Sequence, residues 1–104
     1  MLMFVLAYEY AFAALADPTR RRIFERLRKR PRAVGELARH LGVTQPAVSQ
    51  HLAVLRKARL VRSRAVGTTH LYQPDVAGIE AMRRYLDLMW TDVLAAYAGS
   101  FEQE

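Results

Sequence analysis

Two positions apart in the chain, Gly42 and Thr44 end one helix and start another. Glycine takes the left-handed conformation that closes a helix without a Cβ penalty. Threonine offers its hydroxyl oxygen to the orphan N–H groups of the next first turn, and Gln45-Pro46 follow, with proline where a missing N–H costs nothing. Before this turn, Leu37, Ala38 and Leu41 form the apolar stripe of a short helix from about Val34. After it, Val48, Leu52 and Leu55 form the buried stripe of a helix reaching about Ala58. Helix, glycine turn and capped helix in this order are the layout of a helix-turn-helix.

The rest of the chain is punctuated as clearly. Residues from about Met3 to Ala14 read as a first helix, apolar on nearly every side and so buried on more than one. Asp17-Pro18 opens a second helix to about Lys29, with Ile23, Phe24 and Leu27 facing inward and Pro31 just past its end. Leu60–Val66 and Thr69–Gln73 read as two short strands around Gly67-Thr68. Asp75 opens a last helix to about Tyr97, in which Ile79, Met82, Leu86, Met89, Val93 and Ala96 recur at alternating steps of three and four. That is a heptad seam, widened by Trp90, Leu94 and Tyr97. At 104 residues the chain is expected to form one domain, residues 1-104, mainly α with a small β-hairpin: a winged helix-turn-helix of five helices plus a two-stranded wing. The first helix (about 3-14) and the last (about 75-97) carry more apolar surface than a core this small can hide. Phe4, Tyr8 and Phe12, with Ile79, Met82, Leu86, Met89, Trp90 and Val93, are therefore expected to pair two copies of the chain.

Charge is distributed unevenly. Of 16 Lys and Arg residues, all but Arg83 and Arg84 lie between Pro18 and Tyr72, where the only acids are Glu25 and Glu36. The net charge of +6 thus hides a strongly basic middle between acidic ends, the distribution expected of a surface that binds a polyanion. Within that stretch the fourth helix turns Pro46, Gln50, Ala53 and Lys57 away from its buried stripe, flanked by Ser49 and Arg56. Its exposed face is uncharged at the start and cationic at the end. Thr44, Gln45, Pro46, Ser49 and Gln50 suit the edges of bases in a major groove, while His51, Arg56 and Lys57 suit phosphates. Arg62 and Arg64, on one face of the first strand, and Thr68 and Thr69 at the hairpin tip add a second backbone-binding element. Double-stranded DNA is the expected partner.

Other classes fit poorly. Ser49 and His51 point about 200° apart around their helix and cannot work as nucleophile and base; no other catalytic set can be assembled, so an enzyme is not expected. The chain has no cysteine, which removes disulfides and thiolate metal sites; His40, His51 and His70 lack ligand spacing, and neither metal nor cofactor is expected. The apolar N-terminal stretch has no Lys or Arg before it, is interrupted by Glu9 and is too short to span a bilayer. It reads as a buried helix of a cytoplasmic protein without a membrane partner.

Three motifs carry a resemblance to a known family. Ala14-Leu15-Ala16-Asp17-Pro18-Thr19-Arg20-Arg21-Arg22-Ile23 looks like the opening signature of ArsR-type winged-helix repressors. Thr44 to Leu52, with Leu55 and Leu60-Val61 after it, looks like their recognition helix, and Arg64, Gly67 and Tyr72 match their wing. The resemblance spans about residues 10 to 97. It implies a homodimer paired through its first and last helices, repressing transcription from a pseudo-palindromic operator. The chain departs from the metal-sensing members, whose third helix carries Cys-Val-Cys-Asp-Leu where this one reads Ala33-Val34-Gly35-Glu36-Leu37, and no His follows His70 to furnish the second sensor site on the last helix. The effector is open. The alternative function is a non-specific architectural DNA-binding protein, which would want a Lys/Arg reading face and an apolar wedge; Gln45, Ser49 and Gln50 favour sequence-specific binding instead.

Overall fold

The computed structural model describes the backbone of residues 2–102 and the side chains of residues 7–100. Five helices and one hairpin follow in order: α1 (Leu2–Ala16), α2 (Pro18–Lys29), α3 (Val34–Leu41), α4 (Gln45–Lys57), β1 (Val61–Val66), β2 (Thr69–Pro74) and α5 (Val76–Glu102). This is the expected winged helix-turn-helix, with element boundaries within two residues of the sequence reading except at the end of α5. That helix runs five residues past Tyr97. One glycine, Gly99, lies in the added stretch, and a single helical glycine costs only about 1 kcal/mol against alanine.

Local chemistry explains the punctuation. Asp17 is the single residue between α1 and α2, and its carboxylate accepts from the Arg20 N–H at 3.0 Å. The last carbonyls of α1 would otherwise be orphaned. Arg20 Nε donates to Ala14 O at 2.6 Å, and Arg21 Nη1 donates to Leu15 O at 3.0 Å. The two arginines that oppose the dipole of their own helix thus complete the C-terminus of the preceding one, where positive charge is favoured. Gly42 adopts φ +64° and its N–H returns to Ala38 O, ending α3 as expected. The Thr44 hydroxyl accepts from Ala47 N–H at 3.3 Å.

The core lies where α2, α3 and α4 meet the base of the hairpin. Ile23, Leu27, Leu37, Val48, Leu52, Leu55, Leu60 and Val61 are its largest fully buried side chains. Among the described residues of α1, the small Ala11 and Ala14 are buried in it and Leu15 packs against it half-buried. The antiparallel hairpin pairs Val61 with Pro74 and Val66 with Thr69. Arg32, in the α2–α3 connection, exchanges two backbone hydrogen bonds with Tyr72 (3.1 and 2.8 Å), so the wing is fastened at its base to the helical body.

Helix α5 leaves this body on a glycine. A Cβ at Gly78 would lie 2.5 Å from Ala58 O and 2.7 Å from Arg59 O, closer than side chains approach carbonyls. The Gly78 N–H donates to Arg59 O at 2.7 Å, and Arg59 itself turns the chain with φ +59°. Ile79 and Met82, expected to begin the pairing seam, are half-buried against the chain's own core. Tyr8 and Phe12 also find partners within the chain. The Tyr8 ring stacks on Tyr85 at 4.3 Å, and Phe12 meets Tyr85 edge-on at 5.8 Å. The heptad reading missed Tyr85 because it sits on the flank of the seam, on the side that α1 covers. Phe4 lies outside the residues whose side chains are described.

Past Tyr85 the seam is exposed. Leu86, Met89, Trp90, Val93, Leu94 and Tyr97 are all exposed, Trp90 by 63%. Beside them, Arg83 holds Glu80 and reaches Asp87 at 2.9 Å, pairs one helical turn apart that line the polar edge of the apolar strip.

Candidate nucleic-acid interface

Helix α4 turns Val48, Leu52 and Leu55 into the core, and this fixes what it shows outside. Thr44, Gln45, Pro46, Ser49 and Gln50 are exposed at its N-terminal end, and Arg56 and Lys57 at the other. The reading face expected from the sequence is therefore open along its whole length. His51 is half-buried. The nearby Asp17 carboxyl is held below its ordinary range, first by the hydrogen bond from Arg20 N–H, against an opposing cost of desolvation.

The hairpin supplies the second cationic element. Arg62 and Arg64 are both exposed, on one side of β1 opposite Gln73 and Leu71. With the Gln73 amide turned oxygen-inward, it accepts from Arg62 Nε at 3.0 Å and Nη2 at 3.1 Å, so Arg62 is braced across the strands. Arg64 has no such brace. Thr68 and Thr69 are exposed at the tip, as expected.

Between helix and wing lies an open groove of about 640 Å³, lined by Arg56, Lys57, Arg59 and Arg62 with Ser63 and Asp75. Asp75 is partly engaged, since its carboxylate accepts from Ala77 N–H at 3.0 Å as α5 begins. Four cations around one acid make this groove attractive to phosphate. Arg59 was absent from the sequence-derived set; it lies in the turn after α4, where helical periodicity gives no guide.

A second missed residue is Arg39. Its Nη1 would lie 3.6 Å, and Gln45 Nε2 3.5 Å, from a Cβ placed on Gly35. The guanidinium of α3 and the first amide of α4 thus converge over the bare backbone of Gly35. The i,i+4 spacing of Gly35 and Arg39 was the available signal, but nothing in the sequence says that Gln45 folds back to the same place.

Away from this surface, Arg30 and Arg32 both grip Glu36, Arg32 at 2.7 Å while 7% exposed. Arg32 Nε also donates to Arg26 O at 3.1 Å. The Glu36 carboxyl is held below its ordinary range, first by the hydrogen bond from Arg30, then by Arg32, against an opposing cost of desolvation. Arg32, which exchanges backbone hydrogen bonds with Tyr72, is therefore locked at its side chain too.

Among the described residues, no three His, Asp or Glu side chains come together as a metal site, and no helix is long and apolar enough to cross a membrane.

Residues 17–63 match the profile of bacterial regulatory proteins of the arsR family. The HTH-type transcriptional regulator Rv2034 of Mycobacterium tuberculosis is 55% identical over 94 residues, covering 90% of this chain and 88% of that protein. The chain belongs to the arsR family. A further relative, the transcriptional repressor SdpR of Bacillus subtilis, is 34% identical over 56 residues, 54% of this chain and 62% of its own. The fold agrees: an ArsR-like transcriptional regulator from Rhodococcus sp. RHA1 superposes with a TM-score of 0.78 at 31% identity, over 89% of this chain and 91% of that one. The protein is thus a DNA-binding transcriptional regulator of the arsR repressor family, and the relatives named here are regulators, not enzymes.

Proposed function

We propose that this arsR-family protein is a sequence-specific repressor that binds a pseudo-palindromic operator as a homodimer, in the cytoplasm where the DNA lies. The observation that carries the proposal is the open face of α4, whose exposed, uncharged Gln45, Ser49 and Gln50 lead along the helix to the cationic groove that its far end shares with the wing. Amide and hydroxyl groups discriminate base edges, whereas an all-cationic face would hold any duplex alike. Arg56, Lys57, Arg59, Arg62 and Arg64 hold phosphates around that face. Arg39 takes a phosphate ahead of α4, beside the Gln45 amide. Two copies pair through the exposed seam of α5, Leu86 to Val93, together with α1, so that two recognition helices meet successive turns of one groove. The operator response does not depend on metal, since Ala33 and Gly35 stand where the metal-sensing members carry thiolates.

Selection of bound sites from random duplexes by the purified protein tests this directly. The expected product is a palindromic consensus with half-sites about one helical turn apart. If each dimer neutralises about six to ten phosphates, affinity for that consensus falls about 10³–10⁵-fold between 50 and 200 mM salt. Enrichment without a consensus would assign the protein to the architectural class instead.

A further inference from the structure

Between α1 and α4 lies a small apolar cleft of about 270 Å³, walled by Tyr10, Ala13, Val54 and Ala58, with Arg20 and Lys57 at its edge. Tyr10 and Val54 remain 47% and 42% exposed. The open cleft therefore leaves apolar surface in water, and a ligand that filled it would remove that surface. The two cations differ in freedom. Arg20 is fixed by its bonds to the carbonyls of Ala14 and Ala13, which form part of the wall. Lys57 forms no ion pair with a carboxylate among the described residues; its ammonium rests 5.7 Å from the centre of the Tyr10 ring. A cation over an aromatic face is only weakly held at an exposed site.

Lys57 also lines the groove between α4 and the wing, where the proposed function gives it a phosphate. Resting on that reading, the geometry points to the cleft as a regulatory site for a small organic monoanion with an apolar body, an aromatic or short aliphatic carboxylate. The volume sits just below the usual range for small-molecule sites, which suits a body of one ring or a short chain. The body would lie against Tyr10, Ala13, Val54 and Ala58, and the carboxylate would meet Lys57 beside Arg20. One ammonium cannot serve both faces of α4. A carboxylate in the cleft holds it on the α1 side, so the acid and the DNA backbone compete for the same charge.

The test uses the full chain with benzoate and hexanoate as probes, and benzyl alcohol and hexanol as their neutral counterparts. Ligand-observed NMR and calorimetry measure binding; fluorescence anisotropy of a labelled duplex, carrying the selected consensus, measures DNA affinity with and without each probe. The expected result is saturable binding of at least one acid, about tenfold tighter than its alcohol, as a single ion pair at a partly dry site would give. At saturation, DNA binding should weaken about tenfold. Ala13→Leu fills the cleft from α1 and should abolish acid binding. Val54→Leu fills it from α4 and stands in if the first variant unfolds. Lys57→Gln keeps the cavity but should bind acid and alcohol alike. No saturable binding of either acid up to about 10 mM, a weak-affinity limit, overturns the site, and equal binding of acid and alcohol to the wild type overturns its chemistry. Bound acid that leaves DNA affinity unchanged overturns the regulatory role. The probe-free arm reports DNA binding separately, so a failure of the cleft is distinguishable from a failure of the repressor.

Discussion

Gln50 and Arg64 are both exposed polar residues, yet their substitutions should read out differently. Gln50 lies on the uncharged part of α4, so Gln50→Ala should narrow the gap between the selected site and random DNA by about 1–3 kcal/mol. Arg64, on β1, is proposed to meet phosphate; Arg64→Ala should then weaken both duplexes about equally and reduce the salt slope by about one. Parallel losses for Gln50→Ala, measured by anisotropy on both duplexes, would move the reading face elsewhere. Glu36 makes a separate prediction about acid stability. Its carboxyl is lowered by Arg30 and Arg32, so its contribution is present above the ordinary glutamate range and is lost as pH falls through its depressed value. Glu36→Gln should lower the melting temperature at pH 7 and flatten its decline on acidification. An unchanged acid limb in a pH series of thermal melts would show that the Arg30–Glu36–Arg32 grip contributes nothing. The reading face was legible at this scale because helical periodicity alone decides which side of α4 is buried. Arg39 and Arg59 were not, because their places depend on how a turn and a bare glycine bring separate elements together.

Among elements, the helix starts and stops were the most legible. Gly42, Thr44 and Asp17 act through their own backbone neighbours, and such local chemistry survives in any tertiary setting. Partner assignments were less so. The sequence pattern marks Tyr8, Phe12, Ile79 and Met82 as apolar and periodic, but periodicity does not say whether a face meets its own chain or another. Tyr8 and Phe12 meet Tyr85, and Ile79 and Met82 meet the core, so each spends part of its surface within its own chain, while the seam from Leu86 onward is exposed. Gly78 is the position on which this arrangement turns, since α5 crosses the carbonyls of Ala58 and Arg59 without room for a methyl group. Gly78→Ala would favour the helix in isolation yet force its first turn off the body. The net cost should be about 1–3 kcal/mol, seen as a melting temperature lowered by about 4–8 °C per kcal/mol at fixed protein concentration. A melt unchanged or raised by Gly78→Ala would mean that α5 is free to settle at another angle.

For the whole molecule, the decisive surface is the apolar seam of α5. Burying it against a second copy removes it from water at about 25 cal/mol per Å². Leu86→Glu would put two carboxylates into that seam without counter-charges, and buried unpaired charges cost several kcal/mol. Sedimentation should then show a monomer or a poorly folded chain, with affinity for the selected site reduced far more than one added charge per chain explains. A wild-type monomer at micromolar concentration would refute the pairing. The shape of the molecule adds a mechanical consequence. The chain measures 64 Å along its longest axis against 27 and 20 Å across, and the 27 residues of α5 account for about 40 Å at 1.5 Å per residue. If two copies pair along such rods as proposed, a change of crossing angle would move their reading helices relative to each other. Tilting a rod of that length by about 5° displaces its far end by about 3–4 Å, roughly one base-pair step of the duplex. Half-site spacing thus becomes a ruler for the crossing angle of the rods. Lengthening or shortening the spacer by one base pair would ask for the same tilt that a strained pairing interface imposes, so DNA geometry and protein geometry can compensate one another.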